Sequence, residues 1–150
     1  MFKQIRHYSV DANCVLLPDI APVLARVYQH RGVRSLDELD YSLARLPSPD
    51  TLKGLSAALD LLVQALQQQQ KVLVIGDFDA DGATATAVAL RCLRALGAKH
   101  IDFLVPDRFV YGYGLTPAIV ALAQQLQPDL IITVDNGISS LEGVAAARAA

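Results

Sequence analysis

The stretch KVLVIGDFDADG, residues 71–82, decides how the chain reads. Its apolar run from Val72 to Ile75 has the length and composition of a fully buried strand, and it leads straight into aspartates at alternate positions, Asp77, Asp79 and Asp81. Carboxylates crowded this closely repel one another, and a hard divalent cation with oxygen ligands is the most economical way to neutralise them. A metal site at the end of a strand is therefore the first expectation.

Downstream of this stretch the pattern alternates. Strand one over Val72 to Asp77 is followed by a small-residue helix from Gly82 to Leu96, stopped by Gly97. A strand over Ile101 to Pro106, a helix over Pro117 to Leu126, a strand over Leu130 to Asp135 and a helix from Ser139 onward complete a βαβαβα run. Such alternation predicts an α/β fold with a parallel sheet covered by helices on both faces. Ligands of open sheets of this kind bind outside the carboxyl ends of the strands, which is where Asp77 and Asp135 fall.

Upstream, the spacing predicts a helical lead over 1–70, ahead of the α/β part at 71–150. Residues 1–17 alternate only weakly. Ile20, Val23, Leu24 and Val27 recur at helical spacing in a helix from Pro18 to Tyr28, with Gly32 as the stop. Ser35 to Glu38 fits a capping box that opens a second helix through Leu39, Leu43 and Leu46, ended by Pro47 and Pro49. Leu55, Leu59, Leu62 and Leu66 mark a third, running out into the glutamines at 67–70.

Composition narrows the classes. The chain has 150 residues, 53% hydrophobic, enough for one ordinary core. No apolar run approaches a membrane span and the N-terminus lacks the apolar core of a signal peptide, which predicts a cytoplasmic protein with no membrane partner. Cys14 and Cys92 form no CxxC, so neither a zinc knuckle nor a disulfide framework is indicated. Net charge is −2: residues 1–71 carry 8 Lys/Arg against 7 Asp/Glu, and residues 72–150 carry 5 against 8. With no basic excess, a nucleic-acid partner has to be held by a local groove or through metal. The chain stops at ARAA in what reads as mid-helix, as a piece of a longer protein would.

Rival motifs fail on spacing. Asp77, Asp79, Asp81 and Gly82 match the first ligand positions of a calcium-binding EF-hand loop, but the twelfth position, which needs a glutamate, holds Val88, and the loop is entered from a strand. No P-loop is present, and Gly112-Tyr-Gly114 runs into Leu-Thr-Pro117 where a dinucleotide fingerprint cannot continue. What remains is an acidic turn feeding a helix start, with Asp135 arriving from another strand. Free amides at that helix start favour anions, so metal and phosphate could sit side by side. Metal-assisted phosphoester hydrolysis, with two ions about 3.5–4 Å apart bridged by a carboxylate, is the chemistry this arrangement serves. Taken alone, Asp77 reads equally well as a turn cap, and Asp135 with Asn136-Gly137 reads more readily as an ordinary turn than as a functional acid. The segment after strand two mixes Arg108 with Phe109, Tyr111 and Tyr113, residue types that grip phosphate and stack on unpaired bases, or equally a glycine-rich turn with aromatic packing. His7, His30 and His100 have no ligand spacing, and Asp102 and Asp129 read as solvated flanks of strand starts.

Taken together, VLVIGDFDADGATATA, LVPDRFVYGYGL and LIITVDNGISS resemble the DHH phosphoesterase superfamily, and most closely its RecJ group of single-strand-specific exonucleases. The resemblance spans roughly 71–150. It implies a two-domain hydrolase that uses a pair of Mn²⁺ or Mg²⁺ ions to degrade single-stranded DNA from the 5′ end in recombination and repair, with a single-strand-binding protein and a helicase as partners. By position, Asp79 and Asp81 match the DxD of the first motif and Asp135 the bridging acid of the second, making these three the catalytic set. Arg108, Tyr113, Gly114 and Asn136 are implied substrate contacts. Where many relatives carry a histidine this chain has Ile75, which leaves one metal short of a ligand and points to Asp77 or a water as the substitute. The Asp-His-His triplet of the family is expected beyond Ala150, so these residues alone are expected to bind metal weakly and to hydrolyse little. Alternatives are a DHH phosphodiesterase acting on short oligonucleotides or cyclic dinucleotides, and an inactive DNA-binding relative.

Overall fold

The computed structural model describes residues 20–150, and the reading of residues 1–17 and of Cys14 lies outside them. The chain divides into two compact units, one whose described part is residues 20–53 and one running from Gly54 to Ala150.

In the first unit, helix α1 spans Pro22–His30, with Pro22 in its first turn where a missing N–H is harmless, and buries Ala25. The second helix expected from Ser35 does not form. Three short 3₁₀ turns at Leu36–Leu39, Leu43–Arg45 and Pro49–Thr51 take its place. Glu38 does reach back to the Ser35 N–H, at 3.1 Å, as a capping box should. The helix then stops because Asp40 accepts from the Ser42 N–H at 3.0 Å and Ser48 from the Asp50 N–H at 3.3 Å. Short polar side chains that bond nearby amides offer the backbone an alternative to helical pairing, and the leucines between them stay exposed.

The second unit is the α/β layer structure expected. Helix α2 (Leu55–Gln67) precedes strand β1 (Val72–Ile75), then come helix α3 (Ala80–Ala95), strand β2 (Ile101–Leu104), a short helix α4 (Arg108–Tyr111), helix α5 (Pro117–Gln124), strand β3 (Leu130–Thr133) and helix α6 (Leu141–Ala149). Because α2 belongs to the same compact unit as the sheet, that unit begins before Lys71. The sheet is parallel in the order β2-β1-β3, with Val72 opposite Ile101 and Leu130, and Ile75 opposite Leu104 and Thr133.

Alternation along β1 assigns its side chains to the two faces. Val72 and Val74 pack with Ala65 of α2 and with Leu90 and Leu93 of α3; Leu73 and Ile75 pack with Leu115 and with Ile119, Val120 and Ala123 of α5. All four strand residues are at most 1% exposed, which is why this strand is apolar at every position where a half-buried one would alternate. Burying each such side chain contributes about 1.5–3 kcal/mol. Among the described residues no helix is long and apolar enough to cross a membrane.

Strands end about two residues earlier than the sequence pattern indicates, so Asp77 and Asp135 stand on loops beyond the hydrogen-bonded ladder. The chain leaves β1 toward β2 on one side and returns past it to β3 on the other. This reversal places a crevice at the carboxyl ends of β1 and β3.

Candidate metal centre

Two glycines set the first half of the site. A Cβ on Gly76 would lie 2.1 Å from Thr86 Oγ1, and a Cβ on Gly82 would lie 2.4–2.7 Å from the backbone O, C and Cα of Asp77. The first turn of α3 therefore rests directly on the Asp77 backbone, an approach only glycine permits. Asp79 is the N-cap of α3, its Oδ1 accepting from the Gly82 N–H at 3.0 Å. Asp77 Oδ1 accepts from the Phe78 N–H at 2.8 Å, and its Oδ2 accepts from Arg108 Nη2.

Strand β3 delivers the other half. Thr133 is the register partner of Ile75, so Asp135 and Asp77 each stand two residues beyond a paired position on adjacent strands. Asp135 adopts φ +60°, a left-handed conformation that aspartate tolerates better than most residues, and its carbonyl accepts from the Tyr113 hydroxyl at 3.2 Å. One carboxylate oxygen from each of Asp77, Asp79 and Asp135 falls within 4.8 Å of the others. Asp81, in the first turn of α3, lies outside that set and is exposed. Partial desolvation, the charges of Asp79, Asp81 and Asp77, and a carboxyl-carboxyl hydrogen bond to Asp79 together raise the Asp135 pKa above its usual value. Asp135 is itself exposed, so the neighbouring acids are the part of this effect that a bound cation would reverse.

Arg108, at the start of α4, is a cation facing these acids. It pairs with Asp77 and lies 4.0 Å from Asp79. Its guanidinium carbon sits 4.3 Å from the Phe78 ring centre and 4.9 Å from that of Tyr113. Asn136 is partly buried, its Nδ2 donating to the Val134 carbonyl at 3.1 Å, and it shares with Asp77, Arg108 and Gly114 the lining of a small pocket. Gly114, at φ +77°, packs its backbone near Ser140 Oγ, which accepts from the Leu115 N–H at 3.0 Å. Tyr111 packs against the core and Phe109 is 96% exposed, so these two aromatics part company with Tyr113. Phe78, half-exposed between two of the acids, is the site residue that sequence reasoning missed. Its one signal was an aromatic inside an otherwise polar turn.

The donor set suits a hard divalent ion. Carboxylate oxygens are what Mg²⁺ and Mn²⁺ prefer, and three single-oxygen ligands leave half of an octahedral shell for water or substrate. Ile75 is 1% exposed; it lines the small pocket beside Asp77 but offers no ligand atom, and the oxygen that stands with those of Asp79 and Asp135 belongs to Asp77. A second ion would need donors beyond these three.

Residues 71–150 match the DHH family, N-terminal domain. The chain belongs to the DHH family. Along most of its length it is also similar to the single-stranded-DNA-specific exonuclease RecJ of Escherichia coli (strain K12), 45% identical over 145 residues that cover 97% of this chain and 25% of that protein. The RecJ of Thermus thermophilus is 43% identical over 123 residues, covering 81% of this chain and 17% of its own length. A crystal structure of exonuclease RecJ bound to manganese superposes with a TM-score of 0.54 at 44% identity, over 65% of this chain and 24% of that one. The chain thus spans about a quarter or less of the length of these DHH relatives.

Proposed function

We propose that this chain supplies the first metal-binding half of a DHH-family nuclease that hydrolyses single-stranded DNA using Mn²⁺ or Mg²⁺. The observation that carries the reading is the convergence of Asp77, Asp79 and Asp135 from two adjacent strand ends within 4.8 Å, in a chain 45% identical to an exonuclease. A divalent ion bound there would lower the pKa of a coordinated water and polarise a phosphoryl oxygen.

The chain's own residues do the rest. Asp79 keeps one oxygen on the helix cap, which fixes the direction of the other. Asp135 holds its carboxylate opposite through the left-handed turn that Tyr113 pins at the carbonyl. Asp81 adds negative charge without joining the three-oxygen set, which assigns it to attracting a cation or to a second ion whose remaining ligands come from elsewhere. Arg108, Tyr113, Gly114 and Asn136 line the approach to the acids, where a guanidinium and an exposed ring suit phosphate and an unpaired base. Hydrolysis by these 150 residues alone is expected to be weak, because three carboxylates complete the protein share of one ion's shell and not of a pair's. Action on DNA also argues for a cytoplasmic setting, with repair or recombination as the process.

The test is Mn²⁺ binding to this chain together with digestion of 5′-labelled single strands by a longer protein that carries it. Asp79→Asn and Asp135→Asn should each weaken Mn²⁺ binding by more than roughly 100-fold, beyond what losing an outer-sphere partner does. They should also abolish digestion. Variants that bind manganese and digest single strands as the parent does would remove the assignment.

A further inference from the structure

We propose that Arg108, held against the rings of Phe78 and Tyr113, is the built-in counter-cation of the acid cluster, and that an incoming divalent ion must displace it from Asp77. The inference rests on the metal reading above and adds to it how the site is held before metal arrives. At the strand ends, Arg108 meets the most enclosed of the acids it faces: the Asp77 side chain is 11% exposed against 49% for Asp79. It binds the same Asp77 carboxylate that offers an oxygen to the metal set. Ion and guanidinium therefore compete for one group.

Two further observations mark this pairing as a holding arrangement. Two aromatic rings contact the guanidinium, at 4.3 and 4.9 Å, which holds it near the acids without requiring that its donors be satisfied there. And Arg108 Nε is buried with no acceptor among the described residues, a donor left unmade that a settled structural ion pair would have paired. Once displaced, the guanidinium stays against the rings with its donors free for an incoming phosphate.

Mn²⁺ titration of the folded chain, following the paramagnetic resonance signal of free Mn²⁺, tests this without any turnover. Arg108→Gln should bind Mn²⁺ roughly three- to tenfold more tightly than the parent, since a competing charge within a few ångströms has gone. Phe78→Ala keeps every charge but loosens the hold on Arg108, and should tighten binding by a smaller factor. Asp79→Asn serves as the control and should lose binding. If Asp79→Asn loses manganese while Arg108→Gln binds as the parent does or more weakly, the counter-cation reading is overturned and the metal site stands. An Asp79→Asn chain that binds like the parent overturns both. Should Arg108→Gln fail to fold by circular dichroism, Phe78→Ala decides alone: tighter binding supports displacement and unchanged binding overturns it.

Discussion

Asp135 carries the most informative single charge in the molecule. Its pKa is raised above 3.8 by partial desolvation, then by Asp79, Asp81 and Asp77. A carboxyl that binds its proton more readily when folded adds stability that is fully present below the ordinary value and is lost as pH rises through the raised one. In the metal-free chain at neutral pH the ionised group is therefore a liability. Asp135→Asn should raise the thermal midpoint in chelator at about pH 7, and its advantage should disappear once pH falls below the ordinary carboxylate range. A difference between variant and parent that is flat across that window would show the repulsion to be negligible. With saturating Mn²⁺ the order should invert, because only the parent binds the ion: at a hundred times the dissociation constant, binding adds about 2.7 kcal/mol to the folded state.

The element that shapes the site is α3, and its seating is set by contacts of glycine. Gly76→Ala drives a methyl into Thr86 Oγ1, a hydroxyl that is itself buried without a partner among the described residues. This variant should lose about 1–3 kcal/mol of stability, as overpacked cores do. Thr86→Ala in the same chain removes the obstructing atoms and should recover most of that loss, a coupling that a double-mutant cycle by denaturant unfolding measures directly. Simple additivity would show that the backbone shifts instead. Gly82→Ala differs in kind, because its methyl meets the Asp77 backbone at 2.4–2.7 Å and no trimmed side chain can make room. It should weaken Mn²⁺ binding even in molecules that remain folded, and manganese affinity equal to the parent's in a folded Gly82→Ala protein would contradict the seating described. Apart from the short α4, a single turn at Arg108–Tyr111 too short to show a period, element types from α2 onward were legible in the sequence because apolar periodicity is clear there. The helix expected after Ser35 was not, since Asp40, Ser42 and Ser48 bond neighbouring amides and the apolar spacing of Leu39, Leu43 and Leu46 carries no information about that competition.

For the molecule as a whole, β1 is the structural axis, shared by two apolar clusters. Ile75→Ala should cost about 2–5 kcal/mol, seen as a lowered denaturation midpoint, while the folded fraction keeps its manganese affinity because Ile75 points into the core. Loss of affinity in step with loss of the side chain would instead tie residue 75 to the ion. Local pattern was enough to show that β1 is buried on both faces, that strands and helices alternate into a parallel sheet, and that acids cluster where a strand ends, because apolar runs and periodicity are local properties of the chain. Which acids meet depends on long-range pairing. Asp77 and Asp135 are brought together by the pairing of Ile75 with Thr133, a register between segments distant in sequence, while Asp81, in the first turn of α3, falls outside the three-oxygen set and reaches Asp135 only through its charge. The contact of Arg108 with both Phe78 and Tyr113 likewise follows from separate segments converging at one sheet edge, a placement that long-range packing sets and local propensity does not.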